Sequence, residues 1–110
     1  MELYEQIQQK LKELEYSVKQ LRHTGTAYAQ AERDYKILLR QEVLKLRDAG
    51  TAVGVIDKIA YGIPAVAEAR FKRDVAEAVH EANKEHLNVT KLMLRILEEQ
   101  LEREWGQAKQ

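Results

Sequence analysis

The chain has 110 residues, no cysteine and a formal net charge of zero at pH 7. This length allows one small domain, and the lack of cysteine excludes disulfides and thiolate metal sites. A neutral chain has no global attraction to nucleic acid or anionic lipid, and no apolar run is long enough to predict a membrane span or a secretion signal. Charged residues make up 33% of the chain and aromatic residues 6%. This balance favours long helices with an aliphatic core, and the cytoplasm is the location we expect.

The first predicted arm covers about residues 2–49 and carries a seven-residue apolar repeat. One column of the repeat contains Ile7, Leu14, Leu21, Tyr28 and Tyr35. The second column contains Tyr4, Leu11, Val18, Leu39 and Leu46. Such a repeat is typical of a helix that packs against another helix. Because the first column keeps its phase across Gly25, we predict one continuous helix, with close helix packing as the role of this glycine; a break at Gly25 is the alternative.

The second predicted element is an elbow at about residues 50–63. Gly50 is placed to end the first arm, and Thr51 is placed to cap a short helix. We expect its apolar residues to be buried against both arms, namely Val55, Ile56, Ile59 and Ile63. A DNA-reading helix-turn-helix is the alternative. That motif usually has alanine four residues before its turn glycine and an aliphatic residue six after it, where this chain has Lys58 and Glu68 around Gly62.

The second arm is predicted from Pro64 to about residue 107, because proline is favoured in the first turn of a helix. One side carries Phe71, Val75, Ala78, Val79, Ala82 and Val89. Near the C-terminus the apolar face becomes wider than one neighbouring helix can cover. We therefore predict an all-α fold, a long antiparallel helical hairpin with a short helical elbow that dimerises into a four-helix bundle. The candidate dimer interface consists of Leu94, Ile96, Leu97, Leu101 and Trp105.

The sequence carries no convincing catalytic or metal-binding pattern. His80 and His86 are six residues apart, so they lie on different faces of a helix and do not form a chelating pair. The acidic group "EEQLE" resembles the first half of the metal motif of all-helical nucleotide pyrophosphohydrolases, but no second acidic pair follows it. Phosphate-binding loops and nucleophile elbows are also missing. We predict that the protein is not an enzyme and uses no metal or other cofactor.

Three segments carry a resemblance to a known group of proteins. They are "AERDYKILLRQEVLKLRDAG", "IAYGIPAVAEARFKRDVAEA" and "KLMLRILEEQLEREWG". Together they resemble small, uncharacterised all-helical proteins encoded by phages and prophages of Gram-positive bacteria. The resemblance covers about residues 31–106. It implies a location in the cytoplasm of a bacterial host and genes near recombination functions, and it brings no catalytic residue with it.

The functional expectation is a non-enzymatic interaction protein of phage type. It would act as a homodimer on a host or phage protein, for example as an inhibitor of host defence or replication. The alternative is a nucleic-acid-binding accessory protein of phage recombination or replication. Its candidate surface is the set of cations predicted near the elbow, Arg40, Lys45, Arg47, Arg70, Lys72 and Arg73. Acidic neighbours offset these cations, so nucleic acid is the less favoured partner.

Overall fold

The computed structural model describes residues 2–108, and its elements are helical. Helix α1 spans Glu2–Asp48, a 3-10 turn spans Val53–Val55, α2 spans Ile56–Gly62 and α3 spans Pro64–Ala108. No strand occurs among the described residues. The all-α prediction is confirmed, and both long helices begin or end within one residue of the predicted arm boundaries. Helix α1 passes through Gly25 without a break, so the prediction of a continuous first arm is also confirmed.

Helix α1 ends in a glycine-dependent cap. Gly50 has φ +81°, a left-handed conformation that costs other residues free energy. Its N–H donates to the carbonyl of Arg47 at 3.0 Å, and the N–H of Thr51 donates to the carbonyl of Leu46 at 3.1 Å. This pair of bonds is the Schellman arrangement, which satisfies carbonyls that the end of a helix leaves open. The prediction that Gly50 ends the first arm is confirmed.

The turn from α2 into α3 is set by Pro64. Ile63 is extended, with φ −65° and ψ 127°, as a residue before proline prefers. The N–H of Ile63 donates to the carbonyl of Ala60 at 3.2 Å, and its own carbonyl accepts from the N–H of Ala67 at 2.9 Å. Pro64 thus begins α3 as predicted. The predicted cap at Thr51 is wrong, since Ala52 precedes the 3-10 turn, Val55 precedes α2, and neither makes a side-chain cap.

The chain divides into two compact units, which are described separately. The terminal unit comprises Met1–His23 and Glu81–Gln110. In it the two helical segments run antiparallel, because Asn83 lies beside Ser17 while residues 100 and 104 lie beside residues 2–6. The buried residues are Ile7, Ser17, Leu87, Thr90 and Leu94. Aliphatic and small hydroxyl side chains therefore share this core.

The elbow unit comprises Thr24–His80. Its parts of α1 and α3 are also antiparallel, since His80 contacts Thr24 whereas Arg73 contacts Tyr35. The short helix α2 contributes two buried residues to this unit. Its buried apolar residues are Tyr35, Ile56, Ala60 and Val66. The expectation that four elbow residues are buried is confirmed for Ile56 alone: Val55 and Ile59 are exposed, and Ile63 is half-buried.

The buried seam uses the first predicted column of α1 throughout and the second in part. The column of Ile7, Leu14, Leu21, Tyr28 and Tyr35 is buried or half-buried throughout. In the second predicted column Leu11, Leu39 and Leu46 are half-buried, but Tyr4 and Val18 are exposed. Their places in the seam are taken by the column of Leu3, Lys10, Ser17, Thr24, Ala31 and Leu38. Because several residues of that column are polar or small, an apolar sequence pattern does not reveal it.

Helix α3 turns outward the apolar side that the sequence pattern identified. That side is exposed at Phe71, Val75, Ala78, Val79, Ala82 and Val89. The seam instead uses Val66, Ala69, Arg73, Ala76, His80, Asn83, Leu87, Thr90 and Leu94. Because Val89 follows Leu87 by two residues, it lies about 200° further round the helix. In the elbow unit the more strongly apolar side of α3 therefore faces away from α1. In the terminal unit the seam side is itself apolar, with Leu87, Leu94, Leu97 and Leu101 buried or half-buried.

Candidate interaction surfaces

A polar contact interrupts the apolar seam of the elbow unit at His80. Its Nδ1 lies 2.9 Å from Oγ1 of Thr24, within hydrogen-bond distance. The ring of Tyr28 lies beside the imidazole, with 6.3 Å between the ring centroids. A Cβ added at Gly25 would lie 3.2 Å from Cε1 of His80. The close-packing role predicted for Gly25 is thus supported, and the histidine occupies the space that the glycine leaves.

Arg73 is the candidate cation that is most integrated into the elbow unit. Its guanidinium carbon lies 4.6 Å from the ring centroid of the buried Tyr35. Its Nη2 lies 2.9 Å from a carboxylate oxygen of Asp74. The hydrogen bond with Asp74 is the main cause that raises the pKa of Arg73 above its ordinary value, while burial opposes it. Arg73 therefore remains cationic, and both its charge and its planar face are engaged within the unit.

The other candidate cations have different surroundings. Arg70 is half-buried, and its guanidinium carbon lies 5.5 Å from the ring centroid of Tyr61. Nζ of Lys45 lies 3.1 Å from a carboxylate oxygen of Glu42. The remaining three, Arg40, Arg47 and Lys72, are exposed. Arg70 and Arg73 therefore lie over tyrosine rings, whereas Lys72 between them is exposed.

A shallow groove opens between α1 and α3 in the elbow unit. Its volume is about 420 Å³, and alanines at 27, 31, 65 and 69 line much of it. Charged residues of both signs surround these alanines, namely Asp34, Glu68 and Lys72. The mixture of charges gives this groove no preference for a phosphate backbone, because the acidic side chains oppose the field of the lysine.

The predicted dimer interface is divided between two sides of α3. Leu94 is buried within the chain, and Leu97 and Leu101 are half-buried beside it in the seam. Ile96 and Trp105 are exposed. The three leucines are thus already used in the packing of the terminal unit, and only Ile96 and Trp105 present most of their surface to solvent.

The outer face of α3 in the terminal unit is an apolar stripe that faces away from the seam. We define it by its apolar members Ala82, Val89, Leu92 and Ile96. The exposed fractions of the larger three are 41% for Val89, 53% for Leu92 and 51% for Ile96. The spacings are seven, three and four residues, which is the heptad pattern of a helix that packs against another helix. The sequence placed Ala82 and Val89 on the apolar side of the second arm and Ile96 in the candidate dimer interface.

A second groove borders this outer face in the terminal unit. It has a volume of about 750 Å³, and its α3 wall consists of Met93, Ile96 and Leu97. The opposite wall is polar and comes from the first turns of α1, including Glu5, Gln6 and Gln9. The apolar surface is therefore concentrated on α3, and α1 supplies a polar edge.

Metal-ligand clusters and membrane-spanning helices are not found in the part of the chain that the structure describes. Within residues 2–108, no three histidine, cysteine or acidic side chains are arranged to hold a metal ion. Neither α1 nor α3, over the same range, includes a stretch apolar enough to cross a bilayer. The surfaces that remain for functional interpretation are the outer face of α3 and the cations of the elbow unit.

Comparisons with protein-family models, with curated proteins and with solved structures find no significant match. The resemblance to helical phage proteins therefore stays a prediction from sequence segments. Interpretation of function depends on the surfaces described above.

Proposed function

We propose that the protein is a non-enzymatic interaction protein that packs the outer face of α3 against a helix of another polypeptide. The supporting observation is the exposure of Val89, Leu92 and Ile96 on a helix whose opposite side already forms the seam. Contiguous exposed apolar surface is uncommon on proteins that work alone, and it is typical of interaction sites. Helix-to-helix packing suits a stripe with three- and four-residue spacing.

The sequence resemblance suggests which partners to test. A protein of a bacterial host or of the phage itself is the partner class, and the host cytoplasm is the place of action. Inhibition of a host defence or replication factor is one activity that such binding would produce. None of these roles requires catalytic chemistry from this chain.

Nucleic acid binding is less well supported by the geometry. Two of the six candidate cations, Arg70 and Arg73, lie over tyrosine rings, and Arg73 also pairs with Asp74. Lys45 pairs with Glu42. A phosphate backbone would have to compete with these contacts. A low-salt gel shift with duplex DNA tests this alternative: tight binding that disappears on reversal of Arg70, Lys72 and Arg73 would favour it.

The proposed function is tested by affinity capture with two matched variants. Ile96→Lys places a charge in the outer face, whereas Asn88→Lys adds the same charge at an exposed neighbour outside it. Wild type and Asn88→Lys are expected to capture the same polypeptide, either a different protein or an untagged copy of this chain, from a bacterial lysate that also contains the untagged chain. Mass spectrometry identifies this polypeptide, and Ile96→Lys is expected to lose it. Equal capture by all three proteins would show that the outer face of α3 is not the binding surface.

A further inference from the structure

We infer that the helix packed on the outer face of α3 in the terminal unit is the same face of a second copy, running antiparallel. This inference rests on the proposed function, since it names the occupant of that surface. Three observations carry it: the surface area of the single chain, the exposed apolar stripe, and the charges at the ends of the stripe.

The surface area of a single chain is larger than a compact monomer requires. The chain exposes 8290 Å². A compact monomer of 12.8 kDa exposes about 6,300 Å². The excess is roughly 2,000 Å² for each chain, whereas each partner in a protein–protein interface of standard size contributes about 800 Å². The exposed surface of the chain is therefore large enough for such an interface with a second copy.

The charged positions of the stripe favour an antiparallel second copy. The three- and four-residue spacing that gives Ala82, Val89, Leu92 and Ile96 also includes Glu85, Glu99 and Arg103, and all seven are exposed. In a parallel pair of identical helices each residue faces its own equivalent, so like charges would meet at three levels. An antiparallel pair removes these encounters, because each end of the stripe faces the opposite end of the other copy.

One antiparallel register pairs the central apolar positions with each other and the outer charges with opposite charges. If the two helices cross near Leu94, Leu92 of one copy packs beside Ile96 of the second copy. In the same register Glu85 of one copy faces Arg103 of the second copy. Val89 of one copy lies between these levels, beside Glu99 of the second copy. The Leu92–Ile96 pairs therefore occupy the centre, and an ion pair forms towards each end. A two-fold axis makes every contact occur twice, as in an isologous dimer.

The first test is the oligomeric state. Sedimentation equilibrium at micromolar concentration is expected to give a dimer for wild type and for Asn88→Lys. Ile96→Lys is expected to give a monomer, because the added charge would face Leu92 of the second copy. Circular dichroism shows whether Ile96→Lys keeps its helices. A wild-type protein that stays monomeric throughout this range would overturn the inference.

The second test fixes the direction and the register, and it uses the lack of native cysteine. Leu92→Cys and Ile96→Cys variants are mixed and oxidised. The antiparallel register predicts that the mixed disulfide exceeds both like-with-like products. A predominant Leu92→Cys homodimer would instead indicate parallel helices and would contradict the inference.

The third test concerns the terminal ion pair. Glu85→Arg and Arg103→Glu are each expected to raise the dimer dissociation constant by about five- to thirtyfold, since exposed ion pairs are weak but occur twice. The double variant is expected to return to the wild-type constant within about threefold. Additive weakening in the double variant would exclude this register.

The inference and the proposed function fail in different ways. A monomeric wild type that still captures a different polypeptide through Ile96 removes the second copy and leaves the proposed interaction function in place. A dimer that captures no other polypeptide keeps the second copy and removes the external partner. The two measurements use the same pair of lysine variants, so the outcomes are directly comparable.

Discussion

His80 fills the space beside Gly25, with Cε1 3.2 Å from the position that an added Cβ would occupy. Gly25→Ala gains helix propensity of up to about 1 kcal/mol, but His80 must shift by a few tenths of an ångström. We expect a net change in unfolding free energy within about 1 kcal/mol. In a His80→Ala background the same substitution is expected to be clearly stabilising. Urea denaturation of the four proteins measures the difference, and equal effects in both backgrounds would mean that the contact is unimportant.

Truncation of two isoleucines in α2 is expected to have unequal effects. Ile56 is 5% exposed, whereas Ile59 is 44% exposed. Ile56→Ala should lower the unfolding free energy by about 2–5 kcal/mol, since it removes buried methyl groups and leaves a cavity. Ile59→Ala should cost less than about 1 kcal/mol. Thermal or urea unfolding compares the two, and a cost at Ile59 equal to that at Ile56 would indicate that Ile59 is covered in solution.

Alanine substitution at two elbow glycines is expected to separate conformational strain from side-chain bulk. Gly50 has φ +81°, while Gly54 has no left-handed conformation, and an added Cβ meets nothing within 4 Å at either position. Gly50→Ala should therefore cost about 1–2 kcal/mol from backbone strain alone. Gly54→Ala should be neutral or stabilising by up to about 1 kcal/mol. Similar unfolding midpoints for both variants would argue against the left-handed cap.

Neutralisation of two adjacent cations is expected to distinguish a structural arginine from a solvated lysine. Arg73→Gln loses the stacking on Tyr35 and the pairing with Asp74, and should cost about 1–2 kcal/mol. Lys72→Gln is the matched control at an exposed position and should change stability by less than about 0.5 kcal/mol. Chemical denaturation gives both values. Stability unchanged in Arg73→Gln would show that the stacked geometry contributes little.

The ends of the helices were predictable because they depend on local chemistry. Gly50 can adopt a left-handed conformation, and Pro64 restricts the residue before it and suits the first turn of a helix. Neither effect needs knowledge of the rest of the chain. The continuous path of α1 through Gly25 followed from the phase of Leu21 and Tyr28, which is also a local property.

The inward face of α3 was not predictable from apolar pattern alone. Phe71 and Val75 form a stronger apolar column than Arg73 and His80, yet the latter two lie in the seam. Arg73 is stabilised there by Tyr35, and His80 by Thr24 and the space at Gly25. These contacts depend on residues more than thirty positions away. When either of two sides of a helix could pack inward, the contacts offered by the neighbouring helix decide which side does so. The periodicity of the helix's own sequence does not contain that information.

The Thr24–His80 contact also resists slippage of one helix along the other. A shift of α3 by seven residues within the elbow unit would keep the heptad phase, so apolar packing by itself would oppose it only weakly. Such a shift would place His80 beside Ala31 in place of Thr24. The imidazole would lose its hydroxyl partner and would meet the side chain of Glu32 where Gly25 now leaves room. The Thr24–His80 contact and Gly25 thus distinguish the correct alignment of the two helices from an alignment shifted by one heptad.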